Sequence, residues 1–341
     1  MTKIFYDQDA DIKALEGKTV AVIGYGNQGR SQALNLRDSG VKVIVGNIDD
    51  HYRPIASGDG FAVTSIADAV KRAEVAHILI PDEVQPEVFG RDIQPNLKPA
   101  AAVCFSSGYN FHFGFLDCPS GVDLIMVAPK MIGAAVRSLF LEGSGGPALV
   151  AVERDATGHA WAICLAIAAG IGSTRVGAVE SSFAEEAETD LFAEQAMDGA
   201  MLYSTAAAYE ALCEAGYNPD VALLELYLSG EMVEISRAVA RVGLFRQTDL
   251  HSTTSQYGQL TTGRFLFPPE AKKGYLEVIR RIRSGEFARE WTLEQIAGGP
   301  VFRRLKAEAF AHPINEAEKR VRRLFNLPGY RDDEPEPKAK G

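Results

Sequence analysis

Cysteine is scarce in this chain: four in 341 residues, at positions 104, 118, 164 and 213. None forms a CxxC pair or falls at zinc-ligand spacing, which argues against a disulfide scaffold and a cysteine metal knuckle. The four are expected to be reduced, mostly buried thiols of a cytoplasmic protein. Positive charge is also in short supply. Lys and Arg total 35 against 45 Asp and Glu, a net charge of −10, which disfavours nucleic acid and anionic membrane surfaces as partners. Long apolar runs are missing as well. The most apolar window, residues 160–171, is too short to span a bilayer and predicts a buried helix. The amino-terminal segment has no apolar stretch of the kind a secretory signal needs. What remains is 46% hydrophobic and 23% charged, an ordinary globular composition at a length that suggests two domains.

The first half alternates strand and helix patterns. Strands are expected over residues 19–24, 42–46, 75–80, 101–105, 122–127 and 148–152, and helices over 28–38, 66–73 and 159–168. Such alternation predicts an α/β Rossmann-type, doubly wound parallel sheet. Beyond residue 183 strand signals vanish, and helices are expected over 184–197, 200–214, 220–241 and 271–284. The organisation expected is a dinucleotide-binding domain over 1–181, an all-α domain over 182–328 and a charged, Pro-rich disordered tail over 329–341.

One motif follows the first of the buried strands and opens a helix: Gly24, Tyr25, Gly26, Asn27, Gln28, Gly29. In that context GxGxxG is a specific dinucleotide signal. Gly24 allows the tight turn, Gly26 lets a pyrophosphate approach the backbone, and Gly29 lets helix and strand pack closely, while the helix N-terminus faces the phosphates. The second strand ends in Asn47, Asp49 and Asp50. An acid there accepts hydrogen bonds from a free ribose 2′-hydroxyl and repels a 2′-phosphate, so NADH is favoured over NADPH. Arg30 and Arg53 are the residues that argue the other way, and the alternative for the two aspartates is a loop or helix-cap role.

Downstream, Glu186, Asp190 and Glu194 recur every four residues and share one face of a regular helix. Stacked like charges repel, so either the face is simply solvated or a hard cation such as Mg²⁺ lies among them. Glu185 and Glu188 are expected to face solvent, with Glu186 supporting the metal face without ligating. His77, inside an apolar strand, is expected to be a satisfied core residue and His112 a structural one.

Taken together, these segments resemble the short-form (class I) ketol-acid reductoisomerases along nearly the whole chain. The matching blocks are VIGYGNQG at 22–29, ALNLRDSG at 33–40, IPDE at 80–83, MVAPK at 126–130, ETDLFAEQ at 188–195 and SGEFAREW at 284–291. The resemblance implies a knotted helical domain that intertwines in an obligate homodimer or higher homo-oligomer. It implies further cofactor contacts at Pro81, Asp82, Gly108 and Gly133. Asp190 and Glu194 would bind Mg²⁺ with Glu225 from the partner subunit, Lys130 would assist proton handling beside the metal and substrate, and Ser252 would hold the substrate carboxylate.

Three positions depart from the family pattern. Ser107 stands where the family carries its catalytic histidine, Met131–Ala134 replace a Gly-Pro-Gly-His stretch, and Ser229 replaces a glutamate four residues after Glu225. A serine hydroxyl hydrogen-bonds but does not titrate near neutrality. The loss of a carboxylate at 229 predicts one retained ion and a weakened second. The reading these departures favour is an NAD(P)H-dependent reductase of a small keto acid or imine that lacks the alkyl migration. The alternatives are a genuine reductoisomerase of branched-chain amino-acid biosynthesis and a non-catalytic cofactor-binding homologue.

Overall fold

The computed structural model describes residues 2–325, and the predicted disordered tail at 329–341 lies outside them. The chain forms two compact units, which part between Leu191 and Phe192.

In the first unit, strands of two to seven residues, rich in β-branched side chains at their centre, assemble a sheet that is buried on both faces. Its nine strands among the described residues are β1 (Ile4–Phe5), β2 (Thr19–Ile23), β3 (Lys42–Gly46), β4 (Val63–Thr64), β5 (Val75–Ile78), β6 (Ala102–Phe105), β7 (Asp123–Pro129), β8 (Ala148–Arg154) and β9 (Ala178–Glu180). Their order is β1-β9-β8-β7-β6-β5-β2-β3-β4. Along β2 the side chains alternate between two cores, as the two-residue strand period requires. Val20 and Val22 pack with Leu36 and Ile167 on one face. Ala21 and Ile23 pack with Ile66 and Val70 on the other. Burying each such branched side chain stabilises by about 1.5–3 kcal/mol.

The stretch from β7 through β6, β5, β2 and β3 to β4 is parallel, and the strand order reverses between β2 and β5. That reversal opens a crevice at the carboxyl ends of the strands, where the glycine turn lies. The expected parallel, doubly wound sheet carries two antiparallel pairings in addition, β7 with β8 and β1 with β9. The helix Gly133–Leu141 between β7 and β8 stays at the carboxyl end of β7 and packs on the helix Asn27–Asp38. The chain therefore re-enters the sheet from the end at which it left. Strand–helix alternation alone does not reveal that return.

The second unit is helical throughout its described residues. Its members include Gly199–Glu214, Glu231–Val242, Thr253–Leu266, Lys272–Arg283, Glu286–Ile296, Pro300–Phe310 and Pro313–Leu324. Two expected continuous helices are interrupted. The helix Phe183–Phe192 runs into a π-helical segment, Ala193–Asp198. The predicted helix over 220–241 is instead Pro219–Leu223, a π segment Leu224–Leu228, and a new helix opening after Gly230 at φ +83°. Left-handed backbone at Gly230 ends the ladder, since only glycine adopts it without strain. The unit's one clustered core among the described residues is small, joining Tyr209, Ala222, Leu223, Ala317 and Val321, while Ile282 and Ala288 are buried apart from it. Large apolar side chains stay exposed, among them Phe265 at 82% and Ile296 at 78%.

Candidate functional site

The glycine turn has the stereochemistry its motif implies. Gly24 sits at φ +93°, and a Cβ there would lie 2.9 Å from the Leu79 carbonyl oxygen. A Cβ on Gly29 would come 2.2 Å from the Gly24 carbonyl oxygen, so backbone alone forbids any side chain. Around Gly26 the space is open, with nothing within 4 Å of an added Cβ. The helix Asn27–Asp38 begins there, and its N-cap Gly26 offers no side-chain cap to its first amides. Open space before uncapped helix amides fits a pyrophosphate.

Beside the turn, the end of β3 is fastened to it. The Tyr25 amide donates to Asn47 Oδ1 at 3.1 Å, and Asn47 Nδ2 donates to Asp50 Oδ1 at 2.8 Å. Asp50 Oδ1 also accepts from the Tyr52 amide at 2.9 Å, so this aspartate shapes the loop and satisfies the first amide of the next helix. Asp49 is exposed. Arg30 is held by both oxygens of Asp59 at 2.7 and 3.1 Å, and the Tyr25 hydroxyl donates to the same carboxylate at 2.9 Å. The Arg30 hydrogen bond holds Asp59 below the usual carboxylate range, while burial and then the Asp59 hydrogen bond push the Tyr25 phenol well up. Arg53 donates to the Asn47 carbonyl at 3.0 Å. Asp59 escaped sequence reasoning because nothing local links it to Arg30.

Two more loops reach the same ends of the strands. Asn110 Nδ2 donates to the Asp82 carbonyl at 2.9 Å and to Gln85 Oε1 at 3.1 Å, tying the loop after β5 to the one after β6. Pro81 is exposed and Asp82 half-buried. Ser107 is half-buried, and its Oγ accepts from the Tyr109 amide at 3.3 Å. Gly108 and Gly133, expected as cofactor contacts, are close-packing positions in the structure. An added Cβ would lie 2.1 Å from the Phe183 carbonyl oxygen at Gly108 and 2.3 Å from the Asn27 carbonyl oxygen at Gly133.

At the carboxyl end of β7, Lys130 Nζ donates to Glu186 Oε1 at 2.6 Å and to Asp190 Oδ1 at 2.9 Å. The second Glu186 oxygen accepts from the Gly108 amide at 2.7 Å. Burial opposes the charge on Lys130, yet the two carboxylates outweigh it and hold the ammonium above the ordinary lysine range. Glu186 is buried, whereas the Asp190 side chain is 45% exposed and opens toward solvent. The acidic ladder therefore divides into a buried anchor and an accessible carboxylate. Glu188, expected in solvent, has a half-buried side chain whose Oε1 lies 3.4 Å from His112 Nε2.

In the second unit, Glu194 and Glu225 both fall within π segments, so the regular α-helix that carries Glu186 and Asp190 ends before Glu194. Such π turns are frequent at functional sites. Ser229 closes the second π segment just before the left-handed Gly230. Exposed Ser252 caps the helix Thr253–Leu266, its Oγ accepting from the Ser255 amide at 3.3 Å. Hard oxygen donors suit Mg²⁺. Among the described residues of this single chain, however, no three His, Cys, Asp or Glu side chains gather as a metal site.

Comparison with known proteins covers both units. Residues 14–177 match the family model for the acetohydroxy acid isomeroreductase NADPH-binding domain, and residues 183–327 match the ketol-acid reductoisomerase C-terminal domain. The ketol-acid reductoisomerase (NADP(+)) of Methanopyrus kandleri is 46% identical over 329 residues, spanning 96% of this chain and 99% of that protein. Its counterpart from Pyrobaculum aerophilum is 44% identical over 327 residues, 95% of this chain and 99% of that one. The solved structure of an NADH-preferring ketol-acid reductoisomerase from an uncultured archaeon superposes with a TM-score of 0.91 at 37% identity, covering 95% of this chain and 99% of that structure. With both halves matched in order and at near-full length, the chain belongs to the ketol-acid reductoisomerase family of oxidoreductases.

Proposed function

We propose that this chain is a working ketol-acid reductoisomerase, converting an acetohydroxy acid to a dihydroxy acid in branched-chain amino-acid biosynthesis. The observation that carries the reading is the Lys130 ammonium clamped by Glu186 and Asp190 at the mouth of a dinucleotide turn, in a chain that reductoisomerases match at both ends. The preference for a reductase without migration gives way to this alternative. Its support was Ser107, Ala134 and Ser229, whereas likeness to reductoisomerases runs through both domains.

Mg²⁺, when bound, supplies Lewis-acid stabilisation of vicinal oxygens, and the nicotinamide supplies hydride. Asp190 and Glu194 would hold one ion with Glu225 from a partner subunit, and Ser229 weakens a second. Lys130 orients the two carboxylates and carries a proton at Nζ. Ser107 offers its hydroxyl as a hydrogen-bond partner. Ser252, at a helix N-terminus, suits the substrate carboxylate. Around the cofactor, Gly24, Gly26 and Gly29 shape the turn, and Tyr25, Asn27, Gln28, Asn47, Pro81 and Asp82 line its approach, while Gly108 and Gly133 let neighbouring backbones close on it. We read NADH as preferred, because Asp49 is exposed for a ribose hydroxyl while Asp59 occupies Arg30. We read the first unit as dinucleotide-binding and the second as a helical, intertwined unit, the chain parting between Leu191 and Phe192 where the sequence suggested residue 181. A homodimer would cover the apolar side chains that the second unit leaves exposed. Among the described residues, no helix is long and apolar enough to cross a membrane.

The test supplies purified protein, Mg²⁺ and NADH or NADPH with either 2-acetolactate or the already isomerised 3-hydroxy-3-methyl-2-ketobutyrate. Cofactor oxidation with both substrates is expected. Turnover of the isomerised ketone alone would reinstate the reductase, and failure to bind either nucleotide would leave a non-catalytic homologue.

A further inference from the structure

A chain of side-chain hydrogen bonds runs from the middle of the sheet to the residue after Lys130. Gln28 Nε2 donates to the Met131 carbonyl at 2.8 Å, and Gln32 Nε2 donates to Gln28 Oε1 at 3.1 Å. Gln32 Oε1 in turn lies 2.7 Å from His77 Nε2. A branch leaves from Gln32 Nε2 to Ser106 Oγ at 3.5 Å, and Ser106 donates to the Val127 carbonyl at 2.9 Å. Five elements are joined: β5 through His77, the glycine-turn helix through Gln28 and Gln32, the end of β6 through Ser106, β7 through the Val127 carbonyl, and the Lys130 loop through Met131.

The relay has a fixed direction. A backbone carbonyl only accepts, so Met131 forces the Gln28 amide to present N–H toward it and oxygen toward Gln32. Gln32 must then present its own oxygen to His77, which makes His77 Nε2 a donor. Burial pushes the His77 imidazole down to about 4, leaving it neutral near pH 7 with one ring proton, and the relay assigns that proton to Nε2. The remaining ring nitrogen, Nδ1, is then unprotonated and faces the Cys104 carbonyl at 3.4 Å, a contact that is no hydrogen bond in this tautomer.

Gln32 and His77 are both fully buried. Two apolar residues would fill this space without the desolvation cost of an amide and an imidazole. A polar pair in a sheet core therefore calls for a reason beyond packing. We propose that Gln32 and His77 are positioning residues that hold the glycine turn and the Lys130 loop in register, so that the cofactor cradle and the Lys130–Glu186–Asp190 cluster are set by one element. The proposal rests on the dinucleotide reading of the turn for its functional consequence, though not for its geometry.

The test compares His77→Leu, His77→Gln, Gln32→Met and the double variant His77→Leu/Gln32→Met. Glutamine carries its Nε2 the same number of bonds from Cα as histidine does, so it restores the donor. Hydrogen exchange is measured first, without nucleotide, at the amides of residues 26–30 and 131–134. Faster exchange by about fivefold is expected in His77→Leu and in Gln32→Met, the ratio expected for one net hydrogen bond. His77→Gln is expected to return to within twofold of the parent, and the double variant to exchange no faster than either single one, because one relay is cut once. NADH titration by fluorescence should follow the same order, with Kd raised about fivefold and kcat changed less than KM. Unchanged exchange at both segments despite a lower Tm would make the pair merely structural and overturn the proposal. Additive single effects, or no rescue by glutamine, would do the same. If His77→Leu does not fold, Gln32→Met cuts the relay at its next link. If no dinucleotide binds, the cofactor reading fails and the exchange measurement still decides the relay.

Discussion

Replacing Glu186 with glutamine removes one negative charge from the buried end of the Lys130 cluster and leaves the side-chain volume unchanged. In the parent, one Glu186 oxygen accepts from Lys130 at 2.6 Å and the other from the Gly108 amide at 2.7 Å. Glutamine keeps a single acceptor. Whichever way its amide turns, an N–H faces either the lysine ammonium or the Gly108 N–H. Removing one partner of a buried pair costs about 3–5 kcal/mol when the other charge is left alone. Lys130 is not left alone, since Asp190 stays 2.9 Å away and the lysine side chain is 31% exposed. The loss is therefore closer to that of one charge-assisted hydrogen bond, about 2 kcal/mol. In a unit of this size each kcal/mol moves Tm by about 2–4 °C, so Glu186→Gln should lower it by about 4–8 °C. Asp190→Asn, at a side chain 45% exposed, should cost less than about 1 kcal/mol in stability. Its effect should fall instead on Mg²⁺-dependent turnover. Differential scanning calorimetry of both variants, with isomerase assays alongside, separates the two roles. A Glu186→Gln variant within 1 °C of the parent, or an Asp190→Asn variant that loses more stability, would refute the division into anchor and ligand.

Three further outcomes follow from the same geometry. Gly29→Ala drives a Cβ into the Gly24 carbonyl and should disrupt the turn, lowering Tm and abolishing nucleotide binding, whereas Gly26→Ala meets open space and should spare Tm while raising the NADH Kd tenfold or more; paired calorimetry and fluorescence titration check this. His77 is depressed from 6.5 to about 4, so the unfolded chain takes its proton first as pH falls. Its contribution is full above pH 6.5 and is lost between 6.5 and about 4, amounting to about 3 kcal/mol at about 1.4 kcal/mol per pH unit. The Tm–pH curve of His77→Gln should be flatter across that window, and an identical slope would count against a buried neutral imidazole. Asp49→Asn should raise the NADH Kd three- to tenfold and narrow the gap to NADPH in direct titrations, since a carboxylate there favours a ribose hydroxyl and repels a 2′-phosphate.

What the sequence made legible divides along the range of the interactions involved. The glycine turn was readable because each glycine answers a local demand: φ +93° at Gly24, and backbone contact inside one turn at Gly29. The sheet was readable wherever β-branched runs bury both faces. Its antiparallel β7–β8 pair was not, because the direction of β8 depends on where the helix Gly133–Leu141 docks, a contact made with Asn27 more than a hundred positions away. The same holds for Asp59, which neutralises Arg30 and so changes how the residues near the cofactor bear on its phosphate. At Gly108 and Gly133 nothing in the sequence signals that the missing side chains also make room for the backbones of Phe183 and Asn27.

The acidic ladder carries the same lesson one level higher. A four-residue spacing made Glu186, Asp190 and Glu194 equivalent, and the fold makes each different. Glu186 spends both oxygens on Gly108 and Lys130, Asp190 keeps an exposed carboxylate, and Glu194 lies past the regular helix in the π turn Ala193–Asp198. Glu225 lies in a second π turn whose following residues, Ser229 and Gly230, end the helix. Single π turns inserted into α-helices are rare overall and frequent at functional sites, though this chain has a third, Phe89–Ile93, that carries no proposed ligand. Two such turns, each carrying one of the carboxylates proposed for Mg²⁺, occur in a chain whose described residues form no three-ligand cluster. On the proposed reading the missing ligand comes from a second copy, and metal binding should depend on dimerisation. Glu225→Gln should then weaken binding of Mn²⁺, used as the probe in isothermal titration, while sedimentation shows the assembly unchanged. Undiminished affinity would remove the composite site and with it the role assigned to Glu225.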